Sequence, residues 1–278
     1  MRLTLRILLY LVLLPNSMCA QSTLAQILER ANMSLERGDL AAAAEQLEQA
    51  LTRHESPQNL AELYKRLALV EYLLQRFDRF DEHLREAIRL NPLDADARYQ
   101  LGRRFFEEKR YREAMSEFQE ALRLQPSHYK AHYYAGLVHK GENDTESAKR
   151  EFQAAVEIVE SIKAHYAWPF TDLGELLVEE GDYERGVGWL YRATRIDPKS
   201  PHARYHYARA LFQKESGFEV KEALLAAISL DPGYSEAYYL LARYYQKTGE
   251  ERLSKETFAK FEELKKNPVP SPFGLRRQ

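Results

Sequence analysis

The chain has 278 residues, so length alone admits one large domain or two ordinary ones. A hydrophobic fraction of 45% is enough for a core, and 29% charged residues exclude a body embedded in a membrane. A formal net charge of -2 gives no electrostatic footprint for nucleic acid, and with only 12 Gly and 11 Pro the chain favours long helices over turn-rich sheets.

Residues 1–20 differ from all that follow. Arg2 and Arg6 make a positive start, Ile7 to Leu14 is an apolar run, and Pro15, Asn16 and Ser17 lead into small residues ending at Ala20. This is the layout of a secretory signal peptide, and its apolar run is far short of the ~20 residues a spanning helix needs. The expectation is export, to the periplasm or outside the cell. Cys19 is the only cysteine. Met18 before it departs from the usual lipoprotein pattern, so a lipid anchor at Cys19 is the lesser reading. A mature chain cut beyond it holds no thiol for disulfides or metal.

From Leu24 onward a period of 34 residues governs the chain. Pro92 and Pro126 are one period apart, as are Pro198 and Pro232. Seven frames follow, at 24–57, 61–94, 95–128, 129–162, 167–200, 201–234 and 235–268. The eighth place is always small: Ala31, Ala68, Gly102, Gly136, Gly174, Ala208 and Ala242. The twenty-seventh place carries Ala50, Ala87, Ala121, Ala155, Ala193, Ala227 and then Phe261. Ala43, Ala114, Ala148, Gly186 and Ser254 are small at the twentieth, while Leu47, Leu84, Phe118, Phe152, Leu190, Leu224 and Phe258 fill the twenty-fourth. Small against large at fixed spacing predicts antiparallel helix pairs whose backbones approach closely. Gly38-Asp39, Gly181-Asp182 and Gly249-Glu250 fall where each pair must turn.

The strings Leu173-Gly174, Leu177, Gly181-Asp182-Tyr183, Ala193, Asp197-Pro198 and Leu101-Gly102, Phe105, Tyr111, Ala114, Phe118, Ala121, Pro126 resemble the tetratricopeptide repeat signature. The resemblance implies an all-α, right-handed superhelical solenoid of about seven stacked helix pairs over residues 24–268. Two irregularities interrupt it. Gln58, Asn59 and Leu60 loosen the first junction, and Lys163 to Tyr166 insert four residues after the fourth frame. The Pro-rich end, 269–278, reads as a flexible tail.

No phosphate loop or nucleophile elbow stands in the sequence, and seven repeats leave no room for a catalytic domain. The expected protein is therefore non-catalytic, without cofactor or bound metal. His128 with His132, and His202 with His206, have metal-ligand spacing but lack the Glu of a zinc hydrolase helix. Glu175, Glu179, Glu180 and Glu184 read as a solvated helix face.

The resemblance further implies that the first helix of each pair lines a groove, through its second, fifth, ninth and twelfth places. Tyr99, Tyr133, Tyr205 and Tyr239 stand at the fifth, and Arg103, Arg209 and Arg243 at the ninth. Phe106 and Phe212 stand at the twelfth and Trp168 at the second. Tyr and Arg are enriched at binding hot spots, and places five and nine share one helical face. The family's chaperone-binding members clamp a carboxylate with Lys and Asn. Here Lys65 is followed by Leu69, which departs from that pair. The expectation is a scaffold that binds a protein or peptide, with possible envelope association and self-association. The alternative is a polysaccharide or peptidoglycan binder that stacks sugars on the tyrosines.

Overall fold

The computed structural model describes residues 24–52, 56–214 and 218–269. The signal-like segment with Cys19, and the tail from residue 270, lie outside them. Among the described residues there are fourteen helices, no strands, and no helix long and apolar enough to cross a membrane.

The chain divides into two compact units. The first, to Pro92, holds two helix pairs: α1 (Leu24–Glu36) with α2 (Leu40–Leu51), and α3 (Pro57–Leu73) with α4 (Phe77–Leu90). Its core closes around Ile27, Ala43, Leu47, Leu63 and Leu67. The junction read as loose is helical. Ser56 accepts from the Asn59 backbone N–H and Pro57 occupies the first helical position, so Gln58 to Leu60 form the first turn of a longer α3.

The second unit, from Leu93, holds five pairs. These are α5 (Ala95–Glu107) with α6 (Tyr111–Leu124), α7 (Tyr129–Gly141) with α8 (Thr145–Ser161), and α9 (Trp168–Glu179) with α10 (Tyr183–Ile196). They continue with α11 (Pro201–Gln213) and α12 (Phe218–Leu230), then α13 (Ser235–Lys247) and α14 (Glu251–Lys266).

Close approach explains the small places. A β-carbon on Gly136 would stand 2.5 Å from Phe152 Cε1, and one on Gly174 would stand 2.7 Å from Leu190 Cγ. Ala68, Ala114, Ala121, Ala148, Ala155, Ala193, Ala208, Ala227 and Ala242 are buried throughout, and so is Gly102 against Phe118. Among the described residues, six turns between paired helices use one left-handed residue at the fifteenth place of their frames. Gly38, Gly181 and Gly249 supply it in three repeats, with Gln75, Lys109 and Asn143 in three others.

The insertion acts at one joint. Helix α8 has 17 residues where α6 and α10 have 14, and Lys163 then takes φ 53 to end it. Across repeats the odd-numbered helices meet, α5 with α7, α9 with α11 and α11 with α13. Consecutive even-numbered helices make no contact of comparable extent, so the odd layer is the inner side of this unit. At the joint between α7 and α9, next to the insertion, the two backbones approach less closely.

Candidate functional site: the odd-helix face of the second unit

The groove positions divide into three kinds. Tyr99 and Tyr133 are buried. Tyr99 rests 4.9 Å from the His128 ring and 5.7 Å from Tyr134, while Tyr133 lies 5.4 Å from Tyr134 and 5.5 Å from Tyr166. They seal the contacts between repeats and leave no ring face for a sugar or a peptide, which corrects their assignment as groove contacts. Burial raises the Tyr99 hydroxyl pKa well above its ordinary value.

Phe106, Trp168, Tyr205 and Phe212 are partly buried. Phe106 packs edge-on to Tyr134, Trp168 lies 4.3 Å from the His202 ring, and Tyr205 lies 5.1 Å from Tyr234. Tyr239 and Arg243 are exposed. Arg243 donates to the Tyr239 hydroxyl at 3.2 Å, and Lys247 sits 5.4 Å over the Phe212 ring. The last two repeats therefore offer an aromatic surface with guanidinium and ammonium groups beside it.

Between these regions lies a polar cluster that the sequence did not reveal. Glu175 is buried, which corrects its place on a solvated face, whereas Glu179, Glu180 and Glu184 are exposed. One Glu175 oxygen takes Arg209 Nη2 at 2.5 Å and contacts His206 Nδ1, and the other lies 3.8 Å from Lys140 Nζ. Burial alone would raise this carboxyl. The His206 hydrogen bond, with charge from His206, Arg209 and Lys140, instead brings it down to about 2. Arg103 is tied to Glu107 on its own helix at 3.3 Å. Asp172 is fully buried, accepting from the Tyr133 hydroxyl at 3.0 Å and from Lys140 Nζ at 3.4 Å. Three odd helices from three repeats thus converge through paired charges. An acidic residue one period from a basic one on the odd face was the signal available in the sequence.

The histidine pairs take structural roles. His128 Nδ1 caps α7 by accepting from the Ala131 backbone N–H, and His132 engages Glu151 at 2.7 Å and the Pro126 carbonyl. The rings of His202 and His206 lie 4.1 Å apart. Among the described residues no group of three or more His, Cys, Asp or Glu is placed to hold a metal.

Antiparallel helix pairs stacked at one period, with a packed inner layer and side chains presented along it, define an α-solenoid of the interaction-scaffold class. Profiles described as tetratricopeptide repeat match residues 28–95, 81–126 and 99–161, and another matches 223–255, together more than half of the chain. The chain belongs to the tetratricopeptide repeat family, whose members are generally non-catalytic and bind protein or peptide partners. No curated protein sequence matches it. Among solved structures it is similar to pilF of Pseudomonas aeruginosa, at 20% identity over 82% of this chain and 97% of that one, with a TM-score of 0.65. A tetratricopeptide repeat protein from Parabacteroides merdae is 16% identical over 87% and 93%, with a TM-score of 0.63. YrrB, a TPR protein with an unusual peptide-binding site, is 22% identical over 67% and 94%, with a TM-score of 0.52. At these identities the likeness is one of fold.

Proposed function

We propose that this protein is an exported, non-catalytic scaffold of the cell envelope that captures a protein or peptide on the odd-helix face of its second unit. The observation that carries the reading is the exposed Tyr239–Arg243 couple on α13, with Lys247 and Phe212 continuing the surface from α13 to α11. A planar ring with a polar handle beside a guanidinium suits an extended chain with acidic and apolar side chains. A peptide-binding site in YrrB, a protein of the same fold, supports this use of it. The signal-like residues 1–20 support export. Burial of Tyr99 and Tyr133 argues against a ladder of sugar-stacking rings.

The test is affinity capture from an envelope fraction with the mature chain and with a Tyr239→Ala, Arg243→Ala double variant. Both side chains are exposed, so the variant is expected to keep its helical signal and lose captured partners. A variant that retains every partner overturns the assignment of this face.

A further inference from the structure

The joint between the fourth and fifth repeats is built unlike the others in the second unit. The backbones of α7 and α9 approach less closely than those of the other successive odd-numbered helices, and Tyr133, Leu137, Leu173 and Leu176 share one apolar cluster at the joint. Beside that cluster a polar link joins them at Asp172 of α9, reached from α7 by the Tyr133 hydroxyl at 3.0 Å and by Lys140 Nζ at 3.4 Å. The Lys140 side chain retains 29% of its exposure, while that of Asp172 retains 1%. One end of the pair is therefore wet and the other dry.

We propose that Asp172 is a proton-operated latch between these repeats: as a carboxylate it holds Lys140 against α9, and as a neutral acid it releases that ammonium to the odd-helix face. The chemistry follows from donor and acceptor counts. An ammonium carries donors only, so when the facing Oδ1 takes a proton it loses the ion pair and meets an O–H donor on a neutral, weaker acceptor. Tyr133 donates to Oδ2 and retains that bond in either state. Among the described residues Lys140 then has Glu175 within reach, at 3.8 Å, and Glu175 is already engaged by His206 and Arg209.

The groups around Asp172 set where the latch operates. Tyr133 and Lys140 face it from α7, Tyr166 from the segment before α9, and Glu175 and Glu179 from α9 itself. His206 and Arg209 of α11 act through Glu175. On the other side, Lys149 of α8 is engaged with Glu146 and Glu180, and Arg185 of α10 with Asp182. Burial drives the Asp172 carboxyl up to about 7; Lys140 opposes this rise, and the negative charges of Glu175 and Glu179 add to it. The switch thus falls near neutral pH and holds whether or not the odd-helix face is the partner site.

Carboxyl NMR of the full chain, labelled at Asp, tests this directly. One resonance is expected to titrate near pH 7 and to vanish in Asp172→Asn. Lys140→Met is expected to move its midpoint up by about one pH unit, because an opposing positive charge is lost. At pH 7.5, where the latch is mostly closed, Lys140 in Asp172→Asn should be reductively methylated severalfold faster than in the parent chain. If Asp172→Asn fails to fold, Tyr133→Phe assigns the resonance, since it alone should shift. An Asp172 resonance that titrates near pH 4 with the other aspartates overturns the proposal. So does a midpoint that Lys140→Met leaves unmoved, or a methylation rate that Asp172→Asn leaves unchanged.

Discussion

Arg209 Nη2 donates to Glu175 Oε1 at 2.5 Å, and the two residues stand 34 apart, one full repeat period. The bond joins equivalent ninth places of successive repeats and ends on a buried carboxylate. Arg209→Ala leaves that carboxylate to His206 and Lys140 alone, at an expected cost of about 1–3 kcal/mol. Glu175→Gln should cost less, because the partly exposed Arg209 can return to water. Urea denaturation at pH 7 compares them, and an Arg209→Ala chain within about 0.5 kcal/mol of the parent refutes the ordering. The same bond makes Arg209 a poor probe of partner binding, since its loss perturbs the scaffold. Tyr239 and Arg243 are free of that defect.

The fifteenth place of each frame gives a second prediction. Lys109 adopts φ 62 and Gln75 φ 59, where three other repeats use glycine. A side chain in the left-handed region costs roughly 1–2 kcal/mol, partly offset by the entropy a glycine loses on folding. Lys109→Gly should therefore stabilise the second unit slightly. Gly181→Ala should destabilise it by about 1 kcal/mol through the backbone alone, since a β-carbon there meets nothing within 4 Å. Thermal melts of the two variants should move in opposite directions. Movement in the same direction would show that side-chain contacts, and not the turn, set the preference.

Most of the fold was legible because it rests on contacts between residues of one frame. Gly174 and Leu190, or Gly136 and Phe152, recur at one spacing, and that recurrence is visible without coordinates. The polar cluster was not, because its partners lie about one period apart and act only after the repeats stack. Glu175 sits among exposed glutamates in the sequence, and nothing local separates it from Glu179. The tyrosines failed differently. A fifth-place Tyr is consistent with an open ring or with a packed one, and the neighbouring repeat decides. Tyr134 and Tyr166 close over Tyr99 and Tyr133, whereas Tyr239, in the last repeat, has its ring contacts with Phe258 and Phe261 of its own pair and stays exposed.

Two glycines in the middle of helices separate packing from propensity. A β-carbon on Gly136 would stand 2.5 Å from the Phe152 ring, so Gly136→Ala forces a shift and should cost about 1–3 kcal/mol. Gly188 stands on the exposed side of α10 with open space around it, so Gly188→Ala should stabilise by about 1 kcal/mol through helix propensity. Both follow from one denaturation series. A neutral Gly136→Ala would mean that the pair α7–α8 relaxes more freely than its packing indicates.

His202 supplies a prediction about acid. Burial, then the neighbouring charge of His206, lowers its pKa to about 3. Between that value and the ordinary 6.5 the unfolded chain binds the proton and the folded one does not, so stability contributed at neutral pH is lost as pH falls below 6.5. Asp172 has the opposite sign. Its folded pKa lies above the ordinary 3.8, so between there and about 7 the folded chain binds the extra proton and stability falls as pH rises. The two slopes oppose each other between about pH 4 and 6.5, which flattens the profile of the parent chain. His202→Phe preserves the aromatic contact with Trp168 and removes one of them. Relative to the parent, this variant should gain about 1–2 kcal/mol on going from pH 7.5 to pH 5. Histidines away from this pair cancel in the difference. Urea midpoints at the two pH values decide it, and a difference that does not change with pH would place the His202 imidazole in contact with water.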